Sequence, residues 1–270
     1  MRRREALLAS FTLLILAAVS LSSDEKPQMT GAEIISKHLQ AAGGREALAK
    51  IKSRVAIGIA KKDSDAAVPV AIMSEAPSRV SAIYQFEGYN WQLSYDGGKT
   101  IFRPAISRAS SVVMQKYEEM LASGTMFNGI SLYNALLSGE STGVKFEAKG
   151  TKKVKNRMAY VVEMKQSKGQ TLRLFFDAET FMWLRTEYGS VRITKDLGTF
   201  TNDRTSKDEE STVDFYIDTW DFKEVDGVKL PFKLEMVATS PILKQRSVGT
   251  IATTISEYRH NIQIDARMFQ

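Results

Sequence analysis

The sequence of 270 residues contains no cysteine and only two histidines. Without cysteine the chain can form no disulfide, no thiolate metal site and no cysteine nucleophile, and it cannot carry a lipid-modified cysteine. Neither histidine has a second metal-ligating residue close by in the sequence, which argues against a histidine metal centre. The hydrophobic fraction of 43% and the aromatic fraction of 9% are typical of a globular protein, so a disordered chain is not expected.

The first 23 residues have the order of a secretory signal peptide. Three arginines, at positions 2–4, precede an apolar stretch over residues 6–21, and small residues follow. The alternative is an uncleaved membrane anchor, but this stretch is slightly shorter than the ~18–20 residues that span a bilayer. Cleavage removes three Arg and one Glu and changes the net charge from +6 to +4, which is too small to indicate an anionic partner. Residues 24–270 are predicted to form one exported domain.

Helical and strand periodicities alternate along the mature chain. Thr30 and Glu33 have the spacing of a capping box, which predicts a helix that ends at Gly43-Gly44 and is followed by a short helical turn over 45–51. Period-two alternation predicts strands over 55–60, 68–72, 80–86, 89–95, 99–103, 144–148, 159–165, 171–176, 182–188, 213–222, 228–238 and 248–258. An exposed loop is expected over 202–211. The predicted fold class is mainly antiparallel β with a few α-helices (α+β).

Two amphipathic helices are predicted between the two groups of strands. Apolar residues recur at helical spacing over 113–121 and over 126–137, and the second helix is expected to end at Gly139. The strand over 228–238 has one apolar and one solvated face, which is typical of a sheet covered on a single side. We therefore expect one large curved sheet with the helices packed on its apolar face.

The sequence contains few signals of enzymatic chemistry. It has no Gly-x-x-x-x-Gly-Lys phosphate loop, no Gly-x-Ser-x-Gly elbow and no His-Glu-x-x-His motif. His38 and His260 are interpreted as packing residues because neither can be paired with a nucleophile. The spacing places Asp214 and Asp218 on one face of a strand and Asp221 on the other, so we interpret them as residues that keep a sheet edge soluble. We predict that the protein is not an enzyme and uses no cofactor or metal.

The apolar residues are concentrated on one face of the predicted sheet. About a dozen strands with one apolar face carry more apolar area than three helices can cover, and the aromatic and methionine content of this face suits an adaptable apolar cavity. The alternative is a fully packed core. The sequence alone does not separate the two.

Several segments together resemble a known family. They are the Tyr95-Asp96-Gly97-Gly98-Lys99-Thr100 turn, the run Asp226-Gly227-Val228-Lys229-Leu230-Pro231-Phe232, and the ending Ile264-Asp265-Ala266-Arg267-Met268-Phe269. With the order of helices and strands from about residue 30 to 269, they resemble the periplasmic outer-membrane lipoprotein-sorting proteins, which are LolA-like and LolB-like. The resemblance implies an unclosed, strongly curved β-barrel with helices capping its concave face.

The resemblance also implies a function. A protein of this family would be a soluble periplasmic carrier of lipoprotein or lipid acyl chains, with an inner-membrane release complex and an outer-membrane acceptor as partners. We expect a monomer that binds no nucleic acid. The alternative is a non-catalytic periplasmic sensor or interaction module of the same fold. The predicted ligand-binding residues are Trp91, Leu93, Tyr95, Tyr117, Met120, Ile130, Tyr133, Leu137, Phe176, Leu230, Phe232 and Leu234.

One departure from the family concerns an arginine. The family's arginine that ties the helical cover to the barrel stands just before a proline, and here that position is Ala76, before Pro77. Arg79 is the candidate substitute.

Overall fold

A computed structural model describes residues 29–63, 65–104, 111–123, 125–139, 143–165, 171–193, 211–239 and 249–270. The predicted signal peptide and residues 202–210 of the predicted loop lie outside these ranges. The helices are α1 (Gly31–Ala41), α2 (Arg45–Lys50), α3 (Ser111–Ala122) and α4 (Ile130–Ser138). The strands are β1 (Ser53–Lys62), β2 (Val68–Glu75), β3 (Arg79–Phe86), β4 (Tyr89–Tyr95), β5 (Thr100–Arg103), β6 (Lys145–Val154), β7 (Arg157–Lys165), β8 (Thr171–Asp177), β9 (Trp183–Ile193), β10 (Ser211–Val225), β11 (Val228–Thr239) and β12 (Gly249–His260).

The twelve strands form one antiparallel sheet, in the order β5-β4-β3-β2-β1-β12-β11-β10-β9-β8-β7-β6. Two meanders, β1 to β5 and β6 to β12, are joined by the pairing of β1 with β12, in which Ala56 lies opposite Tyr258. The outer strands β5 and β6 do not pair with each other. The sheet is therefore an unclosed barrel, and the predicted fold class is confirmed.

The sheet curves around α3. This helix contacts β4 and β5 near one edge of the sheet and β9 in the other meander. A β-bulge at Gly58 contributes to the bend, because the pairing of β1 with β12 shifts by one residue between Ile57 and Gly58. A Cβ at Gly58 would overlap the carbonyl oxygen of Thr254, so only glycine fits there.

The face that contacts α3 and α4 is the concave face. On β1 it carries Ala56, Gly58 and Ala60, whereas Ile59 points outward and is 53% exposed. Small residues therefore face inward along this part of β1. On β11 the residues Val228, Leu230 and Leu234 face inward, as the apolar pattern of that strand predicts.

The local signals at the ends of helices are confirmed with one exception. The Thr30 hydroxyl accepts a hydrogen bond from Glu33 N at 3.2 Å, and the Glu33 carboxylate accepts one from Thr30 N at 2.7 Å. Helix α4 ends before Gly139, whose φ is 56°. It begins at Ile130 rather than at Met126, because Phe127 adopts a φ of 62° and interrupts the predicted helix.

Two apolar features cover parts of the convex face. The C-terminal 3-10 helix (Ala266–Phe269) packs on β3, and Phe269 is fully buried there. Val161, Phe175 and Leu184 belong to a smaller cluster on the outer side of β7, β8 and β9. Within the described part of the chain, no helix is long and apolar enough to cross a membrane.

Candidate functional site

The interior between the concave face and α3 and α4 holds one continuous apolar cluster. Each of the twelve residues predicted from sequence belongs to it or packs against it. The buried ones are Leu93, Tyr95, Met120, Ile130, Tyr133, Phe176, Leu230 and Leu234, and the partly buried ones are Trp91, Tyr117, Leu137 and Phe232. The fold therefore brings the predicted residues together. Their role in binding a ligand remains a prediction.

Four aromatic residues form a row along the concave face of the β3–β4 hairpin. Tyr84 lies opposite Trp91, and Phe86 lies opposite Tyr89 at the end of the hairpin. The ring centroids of each pair are 5.2 Å apart. The exposed fraction rises from 2% at Tyr84 to 54% at Tyr89, so the row leads from the interior to the surface. The next inward pair is Ala82 opposite Leu93, and both are fully buried.

Three buried tyrosines lie on or near α3. The ring of Tyr117 on α3 packs edge-on against Phe215, with centroids 5.7 Å apart. The Tyr188 hydroxyl accepts a hydrogen bond from the Thr125 hydroxyl at 2.9 Å. The hydroxyl of Tyr84 is buried and has no hydrogen-bond partner among the residues that the structure describes. Burial raises the pKa of Tyr84, Tyr117 and Tyr188, so all three hydroxyls keep their protons at neutral pH.

His38, on α1, is buried against α4 and the sheet. Its ring lies 4.7 Å from that of Phe176 and stacks 6.1 Å from that of Tyr133. Nδ1 lies 2.9 Å from the carbonyl oxygen of Phe181 and therefore carries the proton. Nε2 is left as a buried acceptor that has no partner within the described part of the chain. Burial lowers the pKa of His38 to about 4. Its interpretation as a packing residue agrees with these contacts.

Arg54 is a buried cation on the concave face of β1, with an exposed fraction of 4%. Its guanidinium carbon lies 5.8 Å from the ring centroid of Tyr133 on α4 and 6.0 Å from that of Tyr258 on β12. Its Nε donates a hydrogen bond to Nε2 of His260 at 3.3 Å. Burial lowers the pKa of Arg54. The contact with Tyr133 connects the sheet to helix α4 by a cation–π interaction.

His260 connects this buried arginine to the surface. Because Nε2 accepts from Arg54, Nδ1 carries the proton and donates to the Asp226 carboxylate at 2.9 Å. Burial and the charge of Arg54 lower the pKa of His260. A pocket of about 450 Å³ opens beside this pair, and its lining includes Glu46, Lys50 and Asn261. The pocket holds both signs of charge and lies at the end of the sheet where α1 meets α2.

Arg79 does not take the place of the family's arginine. It forms an ion pair with Glu75 at 3.0 Å, and its guanidinium lies 5.7 Å from the ring of Phe269 on the convex side. The contacts of Arg79 that the structure describes are therefore with β2 and the C-terminal 3-10 helix. Arg54, which the sequence interpretation missed, contacts α4 through the ring of Tyr133, and Arg45 on α2 donates a hydrogen bond to the carbonyl oxygen of Leu137 on α4 at 3.2 Å.

The carboxylates of β10 have structural partners. Asp218 is 2% exposed and forms a two-pronged ion pair with Arg185, with N–O distances of 2.6 and 3.0 Å. Lys155 lies 3.4 Å from the same carboxylate. Asp214 accepts a hydrogen bond from Ser190, and only Asp221 is exposed beside a lysine, Lys223. The interpretation of all three as residues of a sheet edge is therefore wrong, because β10 lies between β11 and β9.

No cluster suited to a metal ion occurs among the residues that the structure describes. What the interior offers is apolar area with a few isolated polar atoms. Such a surface binds hydrocarbon groups by removing them from water.

Comparison with solved structures finds similar folds at low identity. A LolA superfamily protein from Nitrosomonas europaea is 12% identical, with 90% of this chain and 98% of that chain covered and a TM-score of 0.47. A domain described as an outer membrane lipoprotein-sorting protein, from Vibrio parahaemolyticus, is 11% identical over 88% and 95% of the two chains, with a TM-score of 0.47. A DUF1329 family protein from Desulfovibrio piger is 8% identical over 88% and 95%, with a TM-score of 0.42.

At these identities the likeness concerns the fold, and the function is argued below from the residues of this chain. No protein-family model and no curated protein matches the chain.

Proposed function

We propose that the protein is a carrier that binds acyl chains of a lipid or lipoprotein between the concave face and helices α3 and α4. The observation that supports this most is the single apolar cluster that joins the inner face of the sheet to the two helices. In this fold the sheet does not close on itself, and the two helices cover its inner face. A cover made of helices can move away from a sheet without breaking strand pairs.

The proposed action involves no bond chemistry. Each methylene of an acyl chain that leaves water contributes ~0.8 kcal/mol to binding. A chain enters when α3 and α4 move outward and is released when they move again. The cation–π contact of Arg54 with Tyr133 holds α4 in the closed position. Opening α4 breaks this contact, and the binding free energy of the ligand must offset that loss.

Location and partners complete the proposal. Residues 1–23 direct export to the periplasm, and the domain over 24–270 acts there as a monomer. The carrier takes its cargo from an inner-membrane release complex and passes it to an outer-membrane acceptor. Catalysis is not part of this function.

The test is native mass spectrometry of the protein after expression with residues 1–23 and purification without detergent. The expected result is a bound species whose mass is that of an acyl lipid and which is released on denaturation. The variant Ala82→Phe fills the concave side and should lose this species. Its neighbour Ile83 points to the convex side, so Ile83→Phe is the matched control and should retain it.

Circular dichroism confirms that both variants are folded before the comparison. A wild-type protein that is free of lipid, and that takes up none from vesicles, would contradict the carrier and support the interaction module. Equal lipid retention in folded Ala82→Phe and Ile83→Phe would place the lipid outside the interior.

A further inference from the structure

The hydroxyl of Tyr84 is an unpartnered polar group within the apolar interior. The side chain is 2% exposed, and in the described part of the chain no donor or acceptor lies within hydrogen-bond distance of its oxygen. Burying a hydroxyl without a partner is unfavourable, and most buried hydroxyls have one. The hydroxyl of Tyr188, equally buried near the same helix, accepts a hydrogen bond from Thr125. The missing partner at Tyr84 is therefore not a general property of this interior.

The position of Tyr84 in the aromatic row indicates what the partner is. Toward the surface the row continues with Trp91, Phe86 and Tyr89, the last of which is 54% exposed. Toward the interior the next pair, Ala82 and Leu93, has no polar side-chain atom and is fully buried. Tyr84 thus lies between the surface end of the row and the apolar pair Ala82 and Leu93.

An acyl chain has the matching distribution of polarity. Its tail is hydrocarbon, and its head is a carbonyl group whose oxygen accepts hydrogen bonds. If the tail lies against Leu93 and the cluster beyond, the carbonyl lies nearer the surface, at the level of Tyr84. Burial raises the pKa of Tyr84, so the hydroxyl keeps the proton that it would donate.

We infer that the Tyr84 hydroxyl donates a hydrogen bond to the carbonyl oxygen of a bound acyl ligand, so that the site prefers esters and amides of fatty acids to plain hydrocarbons. This inference rests on the proposed function and adds the chemical class of the ligand. Tyr84 is a specificity residue in this account, and the apolar cluster supplies most of the affinity.

The test is displacement of an environment-sensitive naphthylamine dye from the protein by methyl myristate and by hexadecane. These two compounds have similar chains, and only the first has a carbonyl. Tyr84→Phe should weaken binding of methyl myristate roughly three- to tenfold, the value of one hydrogen bond, and leave hexadecane unchanged. Tyr89→Phe removes an exposed hydroxyl at the surface end of the row and should change neither.

Thermal unfolding without ligand separates recognition from structural support. Tyr84→Phe removes an unpartnered hydroxyl and should not lower the unfolding midpoint. Tyr188→Phe removes a partnered hydroxyl and should lower it. A drop in the midpoint of Tyr84→Phe as large as that of Tyr188→Phe would assign a structural role to Tyr84 and overturn the inference.

The binding arms distinguish two kinds of failure. If the wild-type protein binds both compounds and Tyr84→Phe weakens neither, or weakens both equally, the inference fails while the proposed function stands. If the wild-type protein binds neither compound, the proposed function fails and the inference with it. Dimyristoyl phosphatidylglycerol identifies the source of the carbonyl: a loss with this lipid assigns the site to membrane lipids, and a loss with methyl myristate alone assigns it to single-chain acyl compounds.

Discussion

The guanidinium carbon of Arg54 lies 5.8 Å from the ring centroid of Tyr133, and this contact joins strand β1 to helix α4 across the apolar interior. Arg54 is 4% exposed and Tyr133 is 3% exposed, so the contact is shielded from water and from salt. A cation–π contact that is desolvated in this way is worth about 1–2 kcal/mol. It is therefore strong enough to affect how often α4 opens, and too weak to prevent opening.

Replacing Arg54 by methionine should make α4 open more often. Methionine keeps much of the length of the side chain and removes the charge, so the attraction to the Tyr133 ring is lost. We expect amide hydrogens of Ile130–Ser138 to exchange roughly fivefold or more faster, which corresponds to about 1 kcal/mol. Hydrogen exchange followed by mass spectrometry measures this directly.

Arg79→Met is the matched control for this variant. Arg79 also lies over an aromatic ring, that of Phe269, but on the convex side and away from α4. Its loss should leave exchange in α4 unchanged. Equal protection of α4 in Arg54→Met and in the wild-type protein would show that the contact does not hold the helix.

The buried ring of His38 should make the protein less stable in acid. Burial lowers the pKa of His38 to about 4 in the folded state, against an ordinary value of 6.5. Between these values the unfolded chain binds a proton that the folded protein does not, so the free energy of unfolding falls as the pH falls from 6.5 to 4. The loss attributable to this histidine is roughly 3 kcal/mol by pH 4.

Urea unfolding at a series of pH values tests this, with His38→Gln for comparison. The glutamine amide can donate to the carbonyl oxygen of Phe181, as Nδ1 does, but it does not titrate. The wild-type protein should lose more stability than the variant over this pH range. Parallel curves for the two proteins would rule out the depressed pKa.

The ion pair between Asp218 and Arg185 should be a major support of the convex face. Asp218→Asn leaves Arg185 with a neutral partner and removes the charge that also attracts Lys155. We expect the free energy of unfolding to fall by about 2–4 kcal/mol, because the carboxylate is buried. Urea unfolding at neutral pH provides the measurement.

Asp221→Asn is the matched control, because it replaces a carboxylate by an amide at a neighbouring exposed position. Asp221 adopts a φ of 57°, which asparagine tolerates, and its pair with Lys223 is a surface contact of 3.6 Å. The expected change is within about 0.5 kcal/mol. Similar losses in the two variants would contradict the structural distinction between these aspartates.

Much of the fold could be predicted from the sequence because period-two patterns and turn residues are local signals. The strand pattern of β11 identified its inward residues, Leu230 and Leu234 among them, and the turn at Asp226-Gly227 is present with positive φ at both residues. The start of α4 could not be predicted from spacing, since the backbone at Phe127 breaks a helical pattern that is intact in the sequence. Nor did the pattern of β1 reveal its inward face, because there the smaller residues point inward.

The apolar part of the candidate site could also be predicted from the sequence, because twelve residues chosen for periodicity meet in one cluster. The polar residues of the site could not be predicted in this way. Arg54 stands at the start of β1 and is a charged residue that a sequence would place outside, and its partner Tyr133 is 79 positions away. The strand that contains Tyr84 was predicted, but the lack of a described partner for the Tyr84 hydroxyl depends on the tertiary surroundings alone.

The central claim, that acyl chains bind on the concave face, can be tested with the protein's own tryptophans. Trp91 lies on the concave side of β4, and Trp220 lies on the convex side of β10, with Lys155 Nζ 4.3 Å from its ring centroid. A fatty acid brominated on its chain quenches tryptophans only at close range. Trp91→Phe and Trp220→Phe form a matched pair, and both retain Trp183 in the core.

Quenching by the brominated fatty acid is therefore the most direct measurement. The account predicts that the wild-type protein is quenched, that Trp91→Phe loses a large part of the quenched signal, and that Trp220→Phe keeps all of it. Quenching that disappears with Trp220→Phe and persists in full with Trp91→Phe would place the acyl chain on the convex face and contradict the account.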